Sequence, residues 1–317
     1  MTTFPDGVYQ FGGAAIGAGL PEIVSAGGKW YWCDPTHGTA GGSGESLADA
    51  SNNLATLYAK LRDGYNDGIF FVGGATAYNP SSSITWSKSY AHLIGLSGGL
   101  PGMGQRCRIV GTAGNDLNPV ITISGSACVF QNLQFFQGAD KDEDSGNVVV
   151  SGDRNLFKNV FFAGMGHATP AARAGAYNLK VTGSENAFAN CTIGLDTIVR
   201  AAANYELIIS GGKNSFYDCD IRAYTSTANK LLVKVDASAA DLRDTIFQDC
   251  LFYAYSQNWG TSLTNAFTVA GSNTHFIILK GNCQFVGCSG IADVITHIYG
   301  AGPVPNAGMF LSTNPTT

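Results

Sequence analysis

The chain has 317 residues, 45% of them hydrophobic and only 13% charged, about half the charged share usual in soluble domains. A net charge of −5 argues against a nucleic-acid binder, which needs a basic face to neutralise phosphates. No run reaches the roughly 18 consecutive apolar residues of a membrane span, so neither nucleic acid nor membrane is expected as a partner.

The first residues, "MTTFPDGVYQFGGAAIGAGL", lack a positive n-region and read as no signal peptide, which predicts folding in a cytoplasm. Residues 1–27 are expected to be an extended arm. Residues 28–110 follow as an N-terminal cap with a helix and the first coils. Within it, "GESLADASNNLATLYAKLRDGYNDG" (44–68) places Leu47, Leu54, Leu57, Tyr58 and Leu61 near helical spacing, behind Ser and Asp capping candidates. "IFFVGG", "AHLIGLSGG" and "RCRIVGT" then read as strands. The helix ahead of the first coil would cover an otherwise open strand edge.

From residue 111 to 298 one pattern recurs: "SACVFQNLQFFQG", "RNLFKNVFFAG", "ENAFANCTIG", "KNSFYDCDIRA" and "RDTIFQDCLFYA". Aligned on Phe130, Phe157, Phe188, Phe216 and Phe247, the copies step by 27, 31, 28 and 31 residues. Each is preceded by a short alternating run, such as "NVVVSG", "NLKVTG" or "ELIISG". A coil is therefore strand, Gly turn, Phe strand, bend at Asn or Asp, and a third strand. A period of this size means a solenoid or a propeller. A propeller blade needs about 40 residues and four strands, and a leucine-rich repeat needs a helical return. Three short strands predict an all-β, right-handed, single-stranded parallel β-helix with about 29 residues per coil, its coils about 4.8 Å apart.

The bend slot holds Asn132, Asn159, Asn190, Asp218, Asp249 and Asn282, residue types that tolerate the left-handed region and suit a sharp corner. The next slot holds Cys191, Cys219, Cys250 and Cys283, exchanging with Val160 and Leu133, so it reads as a small apolar core position. With no CxxC pair among the eight cysteines, buried reduced thiols are expected rather than zinc or disulfides. Residues 299–317, "YGAGPVPNAGMFLSTNPTT", read as an extended tail.

The segment "KWYWCDPTHGTAGGSGESLADASNNLATLYAKLRDGYNDGIFFVGG" resembles the entry of pectate-lyase-like right-handed β-helix proteins, with its Asp-Pro-x-x-Gly stretch, capping helix, turn and first strand. "ITWSKSYAHLIGLSGG", "GQRCRI" and "ANCTIGLDTIVRAAANYELIISGGKNSFYDCDI" further resemble structural proteins of tailed bacteriophages built on this fold. The resemblance spans roughly residues 28–290. It implies the fold, but the superfamily holds lyases, hydrolases, adhesins and inert virion components.

Polygalacturonase-like members carry paired Asp motifs and a Gly-His-Gly triplet; here "GMGHA", with His167, is the nearest approach. Glycoside hydrolysis needs two carboxylates at a fixed separation, and the five Glu residues are scattered. Pectate-lyase-like members use calcium and a basic residue. The one acidic cluster, "DKDEDSG", sets Asp140, Asp142 and Asp144 at alternating positions, but Ser145 and Ser151 stand where an EF-hand requires Gly and an acid. A solvated loop is the plainer reading. Arg154, Arg173, Lys180, Lys213 and Arg222 do not single out a base, and "GGSG" and "GGLPGMG" lack the lysine of a phosphate loop. His37, His92, His275 and His297 are isolated. Tyr177, Tyr205, Tyr224, Tyr253, Tyr255 and Trp259 suit either sugar stacking or subunit packing.

No catalytic, cofactor-binding or metal-ligating residue is assigned from these signals. The resemblance points to a non-enzymatic virion structural protein. That would be a trimeric decoration or cement protein binding the major capsid protein on the capsid surface of a tailed phage. A tailspike module that binds or cleaves a host polysaccharide is the second reading, and a bacterial surface adhesin the third.

Overall fold

A computed structural model describes residues 10–11, 14–15, 28–97, 107–115, 117–140, 146–226, 231–236, 244–256, 260, 262–269, 275–300 and 310–312. It is a parallel β-helix of three sheets that run the length of the axis. Sheet 1 has ten strands, from Trp30–Cys33 to Ile298–Gly300. Sheet 2 has nine, from Arg108–Gly111 to Phe310–Ser312. Sheet 3 has eight, from Ile84–Trp86 to Cys288–Ala292. Each coil passes from sheet 3 through a turn to sheet 1, bends, and continues into sheet 2. Strands pair with their equivalents one coil away, as Leu156–Lys158 does with Ala187–Ala189. Among the described residues no helix is long and apolar enough to cross a membrane.

Side-chain alternation follows from the pleat. In sheet 1 the Phe column points inward, and all five rings are fully buried. Their centroids stack 5.1, 4.7, 4.6 and 4.7 Å apart from Phe130 to Phe247. Leu93 and Leu279 continue the column at its ends by register. In sheet 2, Phe135 and Phe162 stack in the same way, as do Phe252 and Phe285.

The corner from sheet 1 to sheet 2 is the expected one. Asn132, Asn159, Asn190, Asp218 and Asp249 all lie in the left-handed region, with φ between 49° and 55°. Asn159 Nδ2 donates to Asn132 Oδ1 at 2.8 Å, pairing these two coils along the axis. In the next coil Gly281 (φ 64°), rather than Asn282, takes this conformation. A Cβ there would lie 2.1 Å from Asp249 Oδ1, so a side chain at 281 would have to displace that carboxylate.

A second left-handed column, not visible as a composition signal, marks the turn from sheet 3 to sheet 1: Ala127, Arg154, Glu185 and Lys213. Asn155, Asn186 and Asn214 follow it as a buried polar ladder. Each side-chain oxygen accepts from the backbone N–H of the coil before, at Cys128, Asn155 and Asn186, all at 2.9 Å. The turn's buried amides are thereby satisfied without a ladder strand.

The capping helix is shorter than its sequence signal. A 3-10 turn covers Leu47–Asp49 and α1 covers Leu54–Lys60, N-capped by Asn53. Backbone bridges from Ser51 to Cys33 and Thr39 interrupt the helix, and Leu47 is exposed. Leu54, Leu57 and Leu61 are buried beneath the first coil. Most of the two expected terminal arms lies outside the described residues. The C-terminal tail does supply Phe310–Ser312, which pairs in parallel with Gln284–Val286.

All eight cysteines are buried, and none forms a disulfide. In the repeat slot, the thiols of Cys191, Cys219, Cys250 and Cys283 donate to the carbonyls of Phe157, Phe188, Phe216 and Phe247, at 3.4–3.5 Å. Burial pushes the Cys107, Cys128 and Cys283 thiols up to about 11. Since the thiolate is the reactive form, native protein is expected to resist a maleimide at neutral pH. Labelling is expected to follow unfolding across a urea series; mass spectrometry showing rapid multiple labelling of the native fold would contradict this packing.

Candidate functional site

The residues singled out from sequence divide sharply. His167 N-caps a short helix, Ala168–Ala171, its Nδ1 accepting from the Thr169 N–H at 3.2 Å. His92 is buried against Trp30, and burial lowers it to about 4. It therefore stays neutral and accepts from the Val129 N–H at 3.1 Å. His37 sits beside Asp34, His275 is hydrogen-bonded to Thr245, and His297 to the His275 backbone.

Asp140 is exposed, while Asp142, Asp144 and Trp259 lie outside the described residues. Among the described residues no group of three His, Cys, Asp or Glu side chains is placed to hold a metal. Arg154 and Lys213 flank Glu185 at 2.6 and 3.8 Å, on the turn column. Lys180 lies over the Tyr177 ring on sheet 3, one coil from Tyr205, and Arg173 lies on an exposed turn.

Sheet 2 brings the remaining candidates together and adds two carboxylates that sequence reasoning missed. The strand Asp220–Thr225 alternates strictly, with Ile221, Ala223 and Thr225 buried and Asp220, Arg222 and Tyr224 facing out. Its neighbour, Leu251–Ser256, sets Tyr253 opposite Arg222 and Tyr255 opposite Tyr224. The Tyr224 and Tyr255 rings lie 5.0 Å apart, and Tyr253 and Tyr255 6.5 Å apart.

On the other side the preceding coil leaves the sheet after Thr192–Ile193 and rejoins it at Val199–Arg200. The excursion carries Asp196 back over the strand. Arg222 is held between two acids: Nη1 is 3.5 Å from Asp196 Oδ2, and Nη2 donates to Asp220 Oδ2. The Arg222 side chain is 18% exposed and those of Asp196 and Asp220 are 40% and 33%, so the acids meet solvent more than the arginine does. Burial, then the Asp196 charge, raises the Tyr253 hydroxyl above its ordinary range.

Gly194 makes the excursion possible. Its φ is 106°, and a Cβ there would lie 1.9 Å from the Arg222 carbonyl oxygen and 2.8 Å from Glu206 Oε2. Directly behind it is a buried ion pair, Arg200 Nε to Glu206 Oε1 at 2.8 Å, with both side chains at most 2% exposed. Arg200 also donates to the carbonyls of Met165 (2.8 Å), Gly164 (3.3 Å) and Ile198 (3.3 Å), tying the loops on both sides of the excursion. Asn178 donates to the same Glu206.

The signal that finds this site is the outward Asp-x-Arg-x-Tyr of one coil read against the outward Tyr-x-Tyr of the next. Asp196 adds no in-strand signal, because it reaches the site from a loop.

No protein-family model and no curated protein matches the chain. Solved structures do. Pectin methylesterase PemA from Erwinia chrysanthemi aligns over 89% of this chain and 92% of its own, with a TM-score of 0.60 and 15% identity. The pectin methylesterase from Aspergillus niger aligns over 91% and 92%, with a TM-score of 0.57 and 15% identity. Pectate lyase Pel9A aligns over 93% and 82%, with a TM-score of 0.56 and 13% identity. These structures are enzymes, and no phage structural protein is shown among them. That overturns the expectation of a non-enzymatic capsid decoration protein: the phage-like stretches were strands and turns of a shared solenoid, which carries no information about a virion. The chain folds as a right-handed parallel β-helix of the kind found in pectin methylesterases and pectate lyase.

Proposed function

We propose that the chain is an enzyme acting on an acidic, pectin-type polysaccharide laid across the outer face of sheet 2. The observation that carries this reading is the Asp196–Arg222–Asp220 cluster beside Tyr224, Tyr253 and Tyr255. The Arg222 guanidinium, engaged by both acids, orients them on the outer face of sheet 2. The tyrosines offer ring faces and hydroxyls to a sugar. A carboxylate of the pair supplies the acid–base group that ester hydrolysis needs.

In a uronate methyl ester the reacting atom is the carbonyl carbon. One Asp takes a proton from water as it attacks, the Arg222 charge offsets that of the oxyanion, and the same Asp returns the proton to the methoxide as the C–OMe bond breaks and methanol leaves.

The test is incubation of purified protein with methyl-esterified polygalacturonate, following methanol, reducing ends and unsaturated ends in parallel. Methanol release is expected, and Asp220→Asn or Asp196→Asn should slow it at least about a hundredfold. No product of any kind, or activity untouched by both substitutions, would remove this site from the chemistry.

A further inference from the structure

The outward residues of sheet 1 fall into three rows along the axis, each row taking one residue from successive coils. Beside the turn from sheet 3 the row reads Arg154, Glu185, Lys213 and Asp244, at equivalent positions of the repeat. Its charges alternate. Glu185 lies 2.6 Å from the Arg154 guanidinium and 3.8 Å from the Lys213 ammonium, and Asp244 ends the series. The middle row is Leu156, Ala187, Ser215 and Ile246, in register across the same strands and only half-buried. The third row is Lys158, Ala189, Tyr217 and Gln248, with the Tyr217 ring exposed. Small and apolar residues between two more polar rows form the core and rim of an interface.

We infer that this face pairs with the same face of a second copy of the chain, about a two-fold axis that runs along the strands between the coils of Ala187 and Ser215. Such an axis sets each row against itself with its direction reversed. An alternating row of even length then meets its complement: Arg154 faces Asp244 of the second copy, and Glu185 faces Lys213. In the middle row Leu156 meets Ile246, and the small Ala187 and Ser215 meet at the centre, where the sheets can approach closely. In the third row Tyr217 meets Ala189, large against small, and Lys158 meets the uncharged Gln248. Phe276, exposed and next after Asp244 in the first row, meets Ala127. In these rows no like charges oppose one another. A two-fold axis along the solenoid would instead lay the first row on the third and set Arg154 against Lys158 of the second copy. The charges therefore select the antiparallel pair.

Sedimentation velocity of the full chain over a range of loading concentrations tests this. A dimer is expected, weakening as ionic strength rises because the first row is exposed. Glu185→Lys and Lys213→Glu each bring like charges together twice per dimer, and each should raise the dissociation constant at least about tenfold. Combining the two substitutions restores opposite charges between copies while removing the Arg154–Glu185 contact within the chain, so recovery of the dimer reports the interface alone. Ile246→Glu, in the middle row, should abolish the dimer in protein that keeps the wild-type circular dichroism spectrum. A monomer at every concentration, a trimer, single variants as tight as wild type, or a double variant no tighter than the singles would overturn the assignment.

Discussion

Arg200→Met is expected to lower the unfolding free energy by about 3–5 kcal/mol, the usual cost of removing one partner from a buried ion pair. The guanidinium is fully buried, and its loss removes the cation that the buried Glu206 carboxylate pairs with. It also leaves the carbonyls of Met165, Gly164 and Ile198 without that donor. The double variant Arg200→Met with Glu206→Leu should recover much of the loss, because a buried pair replaced by apolar groups of similar volume is often close to neutral. Urea unfolding of the wild type and both variants measures this. A single-variant loss below about 1 kcal/mol, or no recovery in the double, would show that the pair does not hold this region. Since the pair backs the Asp196 excursion, activity on the polysaccharide should fall in the single variant even where it stays folded.

The Phe column predicts an effect of the same size by a different route. Phe188 lies between Phe157 and Phe216 at 4.7 and 4.6 Å, both interplanar angles 5°, with Phe162 edge-on at 6.1 Å. Phe188→Ala removes a ring that cannot be replaced by collapse, because strand pairing fixes its neighbours, and should cost about 3–5 kcal/mol. Phe188→Leu should cost markedly less, since Leu93 and Leu279 already stand in the same column. In a solenoid each coil contacts only its neighbours, so the loss falls on two interfaces at once. Thermal and urea unfolding of the two variants decide it. Equal losses for Ala and Leu would mean that aromatic stacking, rather than filled volume, carries the column.

The interior of this molecule is legible from sequence because the solenoid repeats it. The Phe, Asn/Asp and Cys slots recur at every coil, and each slot has a single steric or conformational requirement. Gly281 stood in for Asn282 where a Cβ would strike Asp249, a contact that no residue count reveals. The left-handed positions at Arg154, Glu185 and Lys213 are not legible, because those residue types carry no turn signal. The helical spacing over 44–68 exceeds the helix because bridges to Ser51 compete with it.

The outer face of a coil has no such periodic demand. Thr192, Asp220 and Leu251 occupy one slot without harm to the fold. Asp220 and Asp196 meet only across coils, so no single copy of the repeat shows two acids together.

The cluster on sheet 2 draws Asp196 from one coil, Asp220 and Arg222 from the next, and Tyr253 and Tyr255 from the one after. It has no existence within any single turn of the chain. Successive laps must stack before the acids face the arginine, so the site reports on assembly of the solenoid as well as on its own side chains. A coil duplicated or deleted upstream of residue 146 would shift this face along the axis yet leave its geometry whole, because the contacts that back the Asp196 excursion begin at Gly164. An insertion between the strands at 220–225 and 251–256 would split it. Lineages of such solenoids can thus change length freely at their ends while one short window of consecutive laps stays in step.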